Sequence, residues 1–124
     1  MIGLWKWTLR FWITIALVGE FSGLAWAVEI GIASYYGAGE RLNPETAMNI
    51  PFDSHLMECA SWKYPLGSVL RVTSLRTGRS VIVRCTDRGP AKKLNRLIDL
   101  TAEAFSIIDD LRQGLTPVEV IRLK

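Results

Sequence analysis

The sequence predicts a mostly β domain that closes into a small barrel and follows a segment removed on export. Short stretches of alternating apolar and polar residues recur along residues 28–124, and only one stretch has helical character. Period-two alternation is typical of strands. Five or six short strands without a regular strand–helix alternation favour a closed β-barrel over a parallel sheet.

The first 27 residues have the pattern of a cleaved secretory signal peptide. Lys6 and Arg10 precede an apolar run over residues 11–19, and an Ala-Trp-Ala triplet occupies residues 25–27. A retained anchor is the alternative, but Glu20 interrupts the apolar stretch well before the roughly 20 residues that a spanning helix needs. Since no cysteine lies near the cleavage region, we expect a periplasmic or extracellular protein without a lipid anchor.

Charge and rare residue types limit the classes of function. The net charge of +3 is mild and evenly spread, which does not favour nucleic acid as a partner. His55 is the only histidine, so neither a metal site nor a cofactor is expected. Cys59 and Cys85 in an exported chain predict a disulfide, which would stabilise the fold by about 3–4 kcal/mol. Two buried, unbonded thiols are the alternative.

The predicted elements follow in order from local pattern. A first strand covers 29–36, and glycines at 37 and 39 open a long irregular stretch to about Phe52, which at this length is more often functional than idle. A turn over 63–67 leads into strands 66–75 and 79–86, whose connecting turn ends in Gly78. Residues 87–90 end the strand, because Pro90 has no main-chain N–H to donate to a neighbouring strand.

The C-terminal part predicts a strand, a helix and a final strand. Residues 97–100 form a short strand, and Thr101 is placed to cap a helix that runs to about Ile108. Glu103 is favourable in the first turn of that helix. Gly114 ends the helical region, and residues 118–123 alternate again as the last strand.

Read together, these segments resemble the RlpA (rare lipoprotein A) family, whose six-stranded double-psi β-barrel is shared with expansins. The resemblance covers nearly all of residues 31–123 and rests on the order of several motifs. These are Ala33-Ser34-Tyr35-Tyr36-Gly37, Tyr64-Pro65-Leu66-Gly67, the hairpin around Gly78-Arg79-Ser80, Thr86-Asp87-Arg88-Gly89-Pro90 and Ile98-Asp99-Leu100-Thr101.

The resemblance implies a wall protein that acts on peptidoglycan glycan strands, with division-site or other wall proteins as further candidate partners. Active members are endolytic lytic transglycosylases whose groove carries a glutamate, a histidine and the aspartate of D-R-G-P. Here Asp87 matches that aspartate, whereas Ile50 stands at the glutamate position and Ser61 at the histidine position. A glycan-binding wall module without catalysis, or an expansin-like loosener, is therefore the alternative to an enzyme.

Asp87 is the predicted catalytic residue. In lytic transglycosylation the 6-hydroxyl of the muramoyl sugar attacks its own anomeric carbon, so the substrate supplies the nucleophile. One carboxyl group can then act first as acid and later as base. Arg88 next to it would favour the ionised carboxylate unless strand alternation directs the guanidinium to the other face. The plain structural alternative is that Asp87 organises the turn by accepting main-chain N–H groups.

Further residues are predicted to bind substrate. Tyr36 and Trp62 offer flat faces for sugar rings, or pack in the barrel. Glu58 could add a carboxylate from a neighbouring strand, although a solvent-exposed surface position is the alternative. Ser61 and Arg88 complete the predicted set. The basic run of Arg88, Lys92, Lys93 and Arg96 could contact an anionic wall polymer or lactyl carboxylates, or could simply be solvated.

Overall fold

The computed structural model of the protein describes residues 27–38, 45–51, 53 and 55–124. Most of the predicted signal peptide, residues 1–26, lies outside the described residues, as does part of the predicted long loop. Within the described part, no helix combines the length and apolar character needed to cross a bilayer.

The described residues form six strands and one α-helix. The strands are β1 (Val28–Tyr36), β2 (Glu58–Ala60), β3 (Val69–Ser74), β4 (Ser80–Asp87), β5 (Ile98–Thr101) and β6 (Thr116–Arg122), and the helix is α1 (Ala102–Ile108). Short 3-10 turns cover Lys92–Leu94 and Leu111–Gln113. The strands close into a barrel in the order β1-β5-β2-β4-β3-β6. The predicted mostly β barrel with one short helix is therefore confirmed.

Two of the strand pairs are parallel, and both contribute to the end of the barrel that carries Asp87. β1 pairs with β6 from Val28 to Ala33 and then with β5 from Ala33 to Tyr36, in parallel. β2 pairs in parallel with β4 and antiparallel with β5. The remaining pairs, β3 with β4 and β3 with β6, are antiparallel.

The barrel interior is filled by the alternating apolar residues of the strands. Leu70 and Val72 of β3 face inward with Val83 of β4, and all three are buried. The alternation predicted for the central hairpin is confirmed, and Gly78 adopts a positive φ of 76° in its turn. The strand begins at Val69 rather than Leu66 because Pro65 and Gly67 still form the preceding turn, in which Ser68 N–H donates to the carbonyl of Pro65 at 3.1 Å.

Helix α1 begins where the sequence predicts. The Thr101 hydroxyl accepts a hydrogen bond from the amide of Ala104, and Ala104, Phe105 and Ile108 are buried against the barrel. Thr101 Oγ1 also donates to the carbonyl of Leu56 at 2.6 Å, which ties the helix start to the segment before β2.

Strand β2 has no predicted bounds, although Glu58 was expected on a neighbouring strand. It has only three residues, Glu58, Cys59 and Ala60, and all three are buried because β4 and β5 lie on either side. A three-residue strand buried on both faces shows no alternation that could be read from the sequence.

The predicted disulfide is wrong for this structure, since Cys59 and Cys85 are buried free thiols. The two residues are directly paired on the parallel strands β2 and β4. The two sulfurs are not at the distance of a disulfide bond. The Cys85 thiol is within hydrogen-bonding distance, 3.8 Å, of the carbonyl oxygens of Tyr64 and Asp87, and a hydrogen bond with Cys59 lowers the pKa of Cys85.

Candidate functional site

Asp87 is the last residue of β4, at a point where the pairing with β2 shifts register. Cys59 pairs with Cys85, but the next residue, Ala60, pairs with Asp87, so Thr86 is an extra residue on β4. A bulge of this kind interrupts the alternation and redirects the following side chain. Thr86 turns inward and is fully buried, whereas Asp87 is half-buried at the rim.

The two carboxylate oxygens of Asp87 have different surroundings. Oδ1 accepts hydrogen bonds from the amides of Ala47 at 3.1 Å and Arg88 at 2.8 Å. No hydrogen bond to Oδ2 occurs among the residues that the structure describes. The carboxylate therefore orders the main chain through one oxygen, as the structural alternative required, and keeps the other available.

The segment 45–51 lies beside Asp87 because main-chain hydrogen bonds attach it to the end of β4. Ala47 contacts the carboxylate, and the Met48 amide donates to the Thr86 carbonyl at 3.2 Å. Asn49 has a positive φ of 60° and Ile50 is half-buried. The segment that should carry the glutamate of the RlpA family is thus next to Asp87, and it has Ile50 at the glutamate position.

Two further carboxylates lie on the strands that flank this position. Glu58 is buried, and its Oε2 accepts a hydrogen bond from the Thr86 hydroxyl at 2.8 Å, so the exposed position considered for it is wrong. Asp99 on β5 is half-buried, and its Oδ1 accepts a hydrogen bond from Ser34 Oγ at 2.5 Å. Ala60 pairs with both Asp87 and Asp99, which places the two aspartates at one level on either side of β2.

Tyr36 lies among these acidic groups and is buried. Burial raises the pKa of its phenol far above the ordinary value, and the negative charges of Asp87, Glu58 and Asp99 raise it further. The phenol therefore stays protonated at all physiological pH values. The Ile98-Asp99-Leu100 motif is visible in the sequence, but it does not mark Asp99 as a site residue. Only the strand pairing brings Asp99 level with Asp87.

Arg88 is directed away from the Asp87 carboxylate. Its Nη1 donates to the carbonyls of Ser61 at 2.9 Å and Tyr64 at 2.6 Å, and only its main-chain amide contacts Asp87. The guanidinium braces the 61–64 loop. Its charge also acts on Cys85, whose pKa is lowered to about 7 mainly by the hydrogen bond from Cys59 and additionally by Arg88.

Ser61 and Trp62 differ in their exposure. Ser61 is fully buried; its hydroxyl donates to the carbonyl of Leu97 at 3.1 Å and accepts from the amide of Lys63. Ser61, which stands at the position of the family histidine, therefore uses its hydroxyl in hydrogen bonds to the main chain. Trp62 is 51% exposed, and its indole Nε1 donates to the carbonyl of Pro90 at 2.8 Å.

A separate cleft of about 560 Å³ lies where β1 begins and β6 ends. Glu29 and Lys63 form an ion pair of 3.2 Å in its wall, and Tyr64, Arg122 and Lys124 complete the lining with Ala27 and Pro65. In the described part of the chain, no cluster of three or more His, Cys, Asp or Glu residues is arranged to hold a metal ion.

The family model described as lytic transglycolase, a double-psi β-barrel family, matches residues 28–120. The chain belongs to this family. The match spans all of β1 to β5 and most of β6, so the predicted double-psi topology is confirmed together with the likeness to RlpA.

Curated relatives of this lytic transglycolase family member are RlpA proteins. The chain is 40% identical over 91 residues to the probable endolytic peptidoglycan transglycosylase RlpA of Nostoc sp., covering 73% of this chain and 24% of the relative. It is 34% identical over 110 residues to the endolytic peptidoglycan transglycosylase RlpA of Campylobacter jejuni, covering 89% and 37%. The chain thus spans about a quarter to two fifths of these relatives.

Solved structures with the same barrel support the fold of this family member. The apo expansin of Clavibacter michiganensis superposes with a TM-score of 0.62 at 22% identity, over 79% of this chain and 51% of the expansin. A point mutant of the same expansin was solved in complex with cellohexaose. The Streptomyces papain inhibitor superposes with a TM-score of 0.63 at 20% identity, over 81% of this chain and 97% of the inhibitor.

Proposed function

We propose that this domain cleaves peptidoglycan glycan strands by lytic transglycosylation, with Asp87 as the acid and base. The proposal rests on the difference in hydrogen bonding between the two carboxylate oxygens of Asp87. Two main-chain amides hold Oδ1, while Oδ2 has no hydrogen bond among the described residues. A carboxyl group fixed through one oxygen can exchange a proton through the other without losing its orientation.

The proposed reaction needs one carboxyl group and no water. Protonated Asp87 gives its proton to the glycosidic oxygen as the bond from the muramoyl anomeric carbon to that oxygen breaks. The 6-hydroxyl oxygen of the same sugar then bonds to the anomeric carbon, and its proton passes to the Asp87 carboxylate. The products are a free 4-hydroxyl and a 1,6-anhydro end, and Asp87 is protonated again.

The surroundings of Asp87 fit the charge that develops in this reaction. A glycosidic bond that breaks early gives an oxocarbenium-like centre with positive charge. Negative charge on Asp99 and Glu58, near the Tyr36 phenol, would stabilise such a centre. The protonated phenol would donate a hydrogen bond without adding positive charge.

The proposed setting is outside the cytoplasm, where peptidoglycan lies. The leader pattern over residues 1–27 supports export, with Val28 as the first residue of the mature chain. N-terminal sequencing of the exported protein tests this: a start at Val28 is expected, and a retained Met1 would contradict it.

Product identity tests the proposed reaction. The purified chain is incubated with glycan strands stripped of stem peptides, and the new ends are identified by mass spectrometry. Anhydro-muramoyl ends formed from internal positions are expected. Reducing ends would show hydrolysis instead and would overturn the internal-nucleophile mechanism.

A glycan-binding module without catalysis is the second candidate function. It is favoured by Ile50 and by the buried, hydrogen-bonded Ser61, which replace the family's glutamate and histidine. Retention of the chain on glycan strands without any new ends would support this function over the enzyme.

A further inference from the structure

Trp62 is an exposed tryptophan in the loop beside Asp87, and a lysine side chain lies over its ring. The Lys92 ammonium lies 4.8 Å from the centroid of the Trp62 ring, within the range of a cation–π contact. Trp62 is 51% exposed and Lys92 is exposed as well, so the contact is at the surface.

The Trp62 ring is held in place by the turn that follows Asp87. Its Nε1 donates to the carbonyl of Pro90 at 2.8 Å, and the Arg88 guanidinium braces the carbonyls of residues 61 and 64 on either side of it. The Ser61 amide donates to the carbonyl of Asp87 at 3.1 Å. The ring therefore has a fixed position relative to the candidate acid, as a sugar-stacking platform needs.

Basic residues are concentrated in the segment that follows Asp87. Residues 88–96 contain Arg88, Lys92, Lys93 and Arg96 and no acidic residue. Lys92 and Lys93 are exposed, and Lys92 lies at the Trp62 ring. The surface at Trp62 is therefore complementary to an anionic sugar.

We propose that Trp62 and Lys92 form a subsite that selects a sugar bearing a carboxylate, such as the lactyl group of a muramoyl residue, over a neutral sugar. The inference rests on the proposed function, since it places the subsite beside the bond to be cleaved. It assigns to these two residues the discrimination between muramoyl glycans and neutral β-1,4-linked glycans.

The subsite prefers a carboxylate-bearing sugar because a sugar must displace the Lys92 ammonium in order to stack on the Trp62 ring. A pyranose that stacks on the covered face of Trp62 moves the Lys92 ammonium off the ring and loses the cation–π contact. A neutral sugar offers nothing in return, whereas a carboxylate pairs with the displaced ammonium. The lysine thus disfavours the wrong ligand and favours the right one.

Binding to the full chain carrying Asp87→Asn tests the subsite without turnover. Three ligands of equal length are compared by calorimetry: stem-free glycan fragments, the same fragments with their lactyl carboxylates reduced to alcohols, and N-acetylglucosamine oligomers. We expect the unreduced fragments to bind about 3- to 10-fold more tightly than either neutral ligand, with the preference falling as salt is added.

Lys92→Gln in the same background should remove most of this preference, while binding of the neutral oligomers stays equal or improves. Lys93→Gln is the matched control because it removes the same charge from the same turn, and it should retain more than half of the preference. Trp62→Leu should weaken all three ligands together.

Equal preference in Lys92→Gln and its parent, or equal losses for Lys92→Gln and Lys93→Gln, would overturn the subsite. These outcomes are separable from failure of the proposed function. A chain that binds with the expected preference but forms no anhydro ends retains the subsite and loses the enzyme.

Discussion

The properties of single residues around Asp87 depend on the residues that lie close to them in space. Cys85 illustrates this: the hydrogen bond from Cys59 lowers its pKa to about 7, and in return the pKa of Cys59 lies well above its ordinary value. Sequence composition alone favoured a disulfide here. The parallel in-register pairing, which no local pattern reveals, makes the two sulfurs partners in a hydrogen bond instead.

Replacing Cys59 should therefore change the titration of Cys85. In Cys59→Ala the hydrogen bond is lost and burial dominates, so we expect the pKa of Cys85 to rise above the value of about 7 in the wild type. Thiolate absorbance followed against pH measures this. An unchanged titration would contradict the assigned cause, and Cys59→Ser, which keeps a donor, is the control.

Gly31 is required where β1 meets the residue before β5. A Cβ built on Gly31 would lie 2.6 Å from the Cβ of Leu97, closer than packed atoms allow. We expect Gly31→Ala to lower the free energy of unfolding by about 1–3 kcal/mol. Chemical denaturation measures the loss.

The double variant Gly31→Ala, Leu97→Gly provides the control for this prediction. Glycine at position 97 removes the Cβ that the new methyl group would meet at 2.6 Å, so the two losses should be less than additive. Strictly additive losses would mean that the close approach is not the cause.

At the scale of elements, the strands and the helix whose pattern depends on residues close in sequence could be predicted. The β3–β4 hairpin alternates because one face is buried, and α1 starts at Thr101 because a hydroxyl there caps the first turn. The bounds of strand β2 and the burial of Glu58 were missed because both depend on β4 and β5, which are distant in sequence. For the same reason the sequence did not single out Asp99.

The hairpin turn is joined to the end of α1 by a buried carboxylate. Both Nε and Nη2 of Arg76 donate to Asp109, whose side chain is fully buried while that of Arg76 is about half exposed. The guanidinium holds the pKa of Asp109 well below its ordinary value. An aspartate whose pKa is lowered by folding stabilises the protein above its unfolded pKa of about 4 and loses that contribution as the pH falls.

Asp109→Asn should thus lower the free energy of unfolding by about 1–2 kcal/mol at neutral pH, a figure reduced for the solvent around Arg76. The difference from the wild type should shrink as the pH falls below about 4. Urea denaturation at several pH values measures it. A difference independent of pH down to the acid limit would contradict the role of the charge.

For the whole molecule, barrel closure brings the functional groups together. Asp87, Glu58 and Asp99 come from three different strands, and the segment 45–51 and the 61–64 loop attach to the same end. The motifs predicted this barrel and Asp87, but the chain departs from the family pattern at Ile50 and Ser61. Activity therefore depends on whether one fixed carboxylate, with its acidic neighbours, is enough.

The rate of anhydro-end formation in the Asp87→Asn variant tests that claim most directly. Asparagine keeps an acceptor for the Ala47 and Arg88 amides but cannot give or take the proton, so the rate should fall by about 10²–10⁴-fold. Asp110→Asn, which retains a helix-capping side chain beyond α1, should stay within about 2-fold of the wild type. An Asp87→Asn variant as fast as that control would contradict the proposed mechanism.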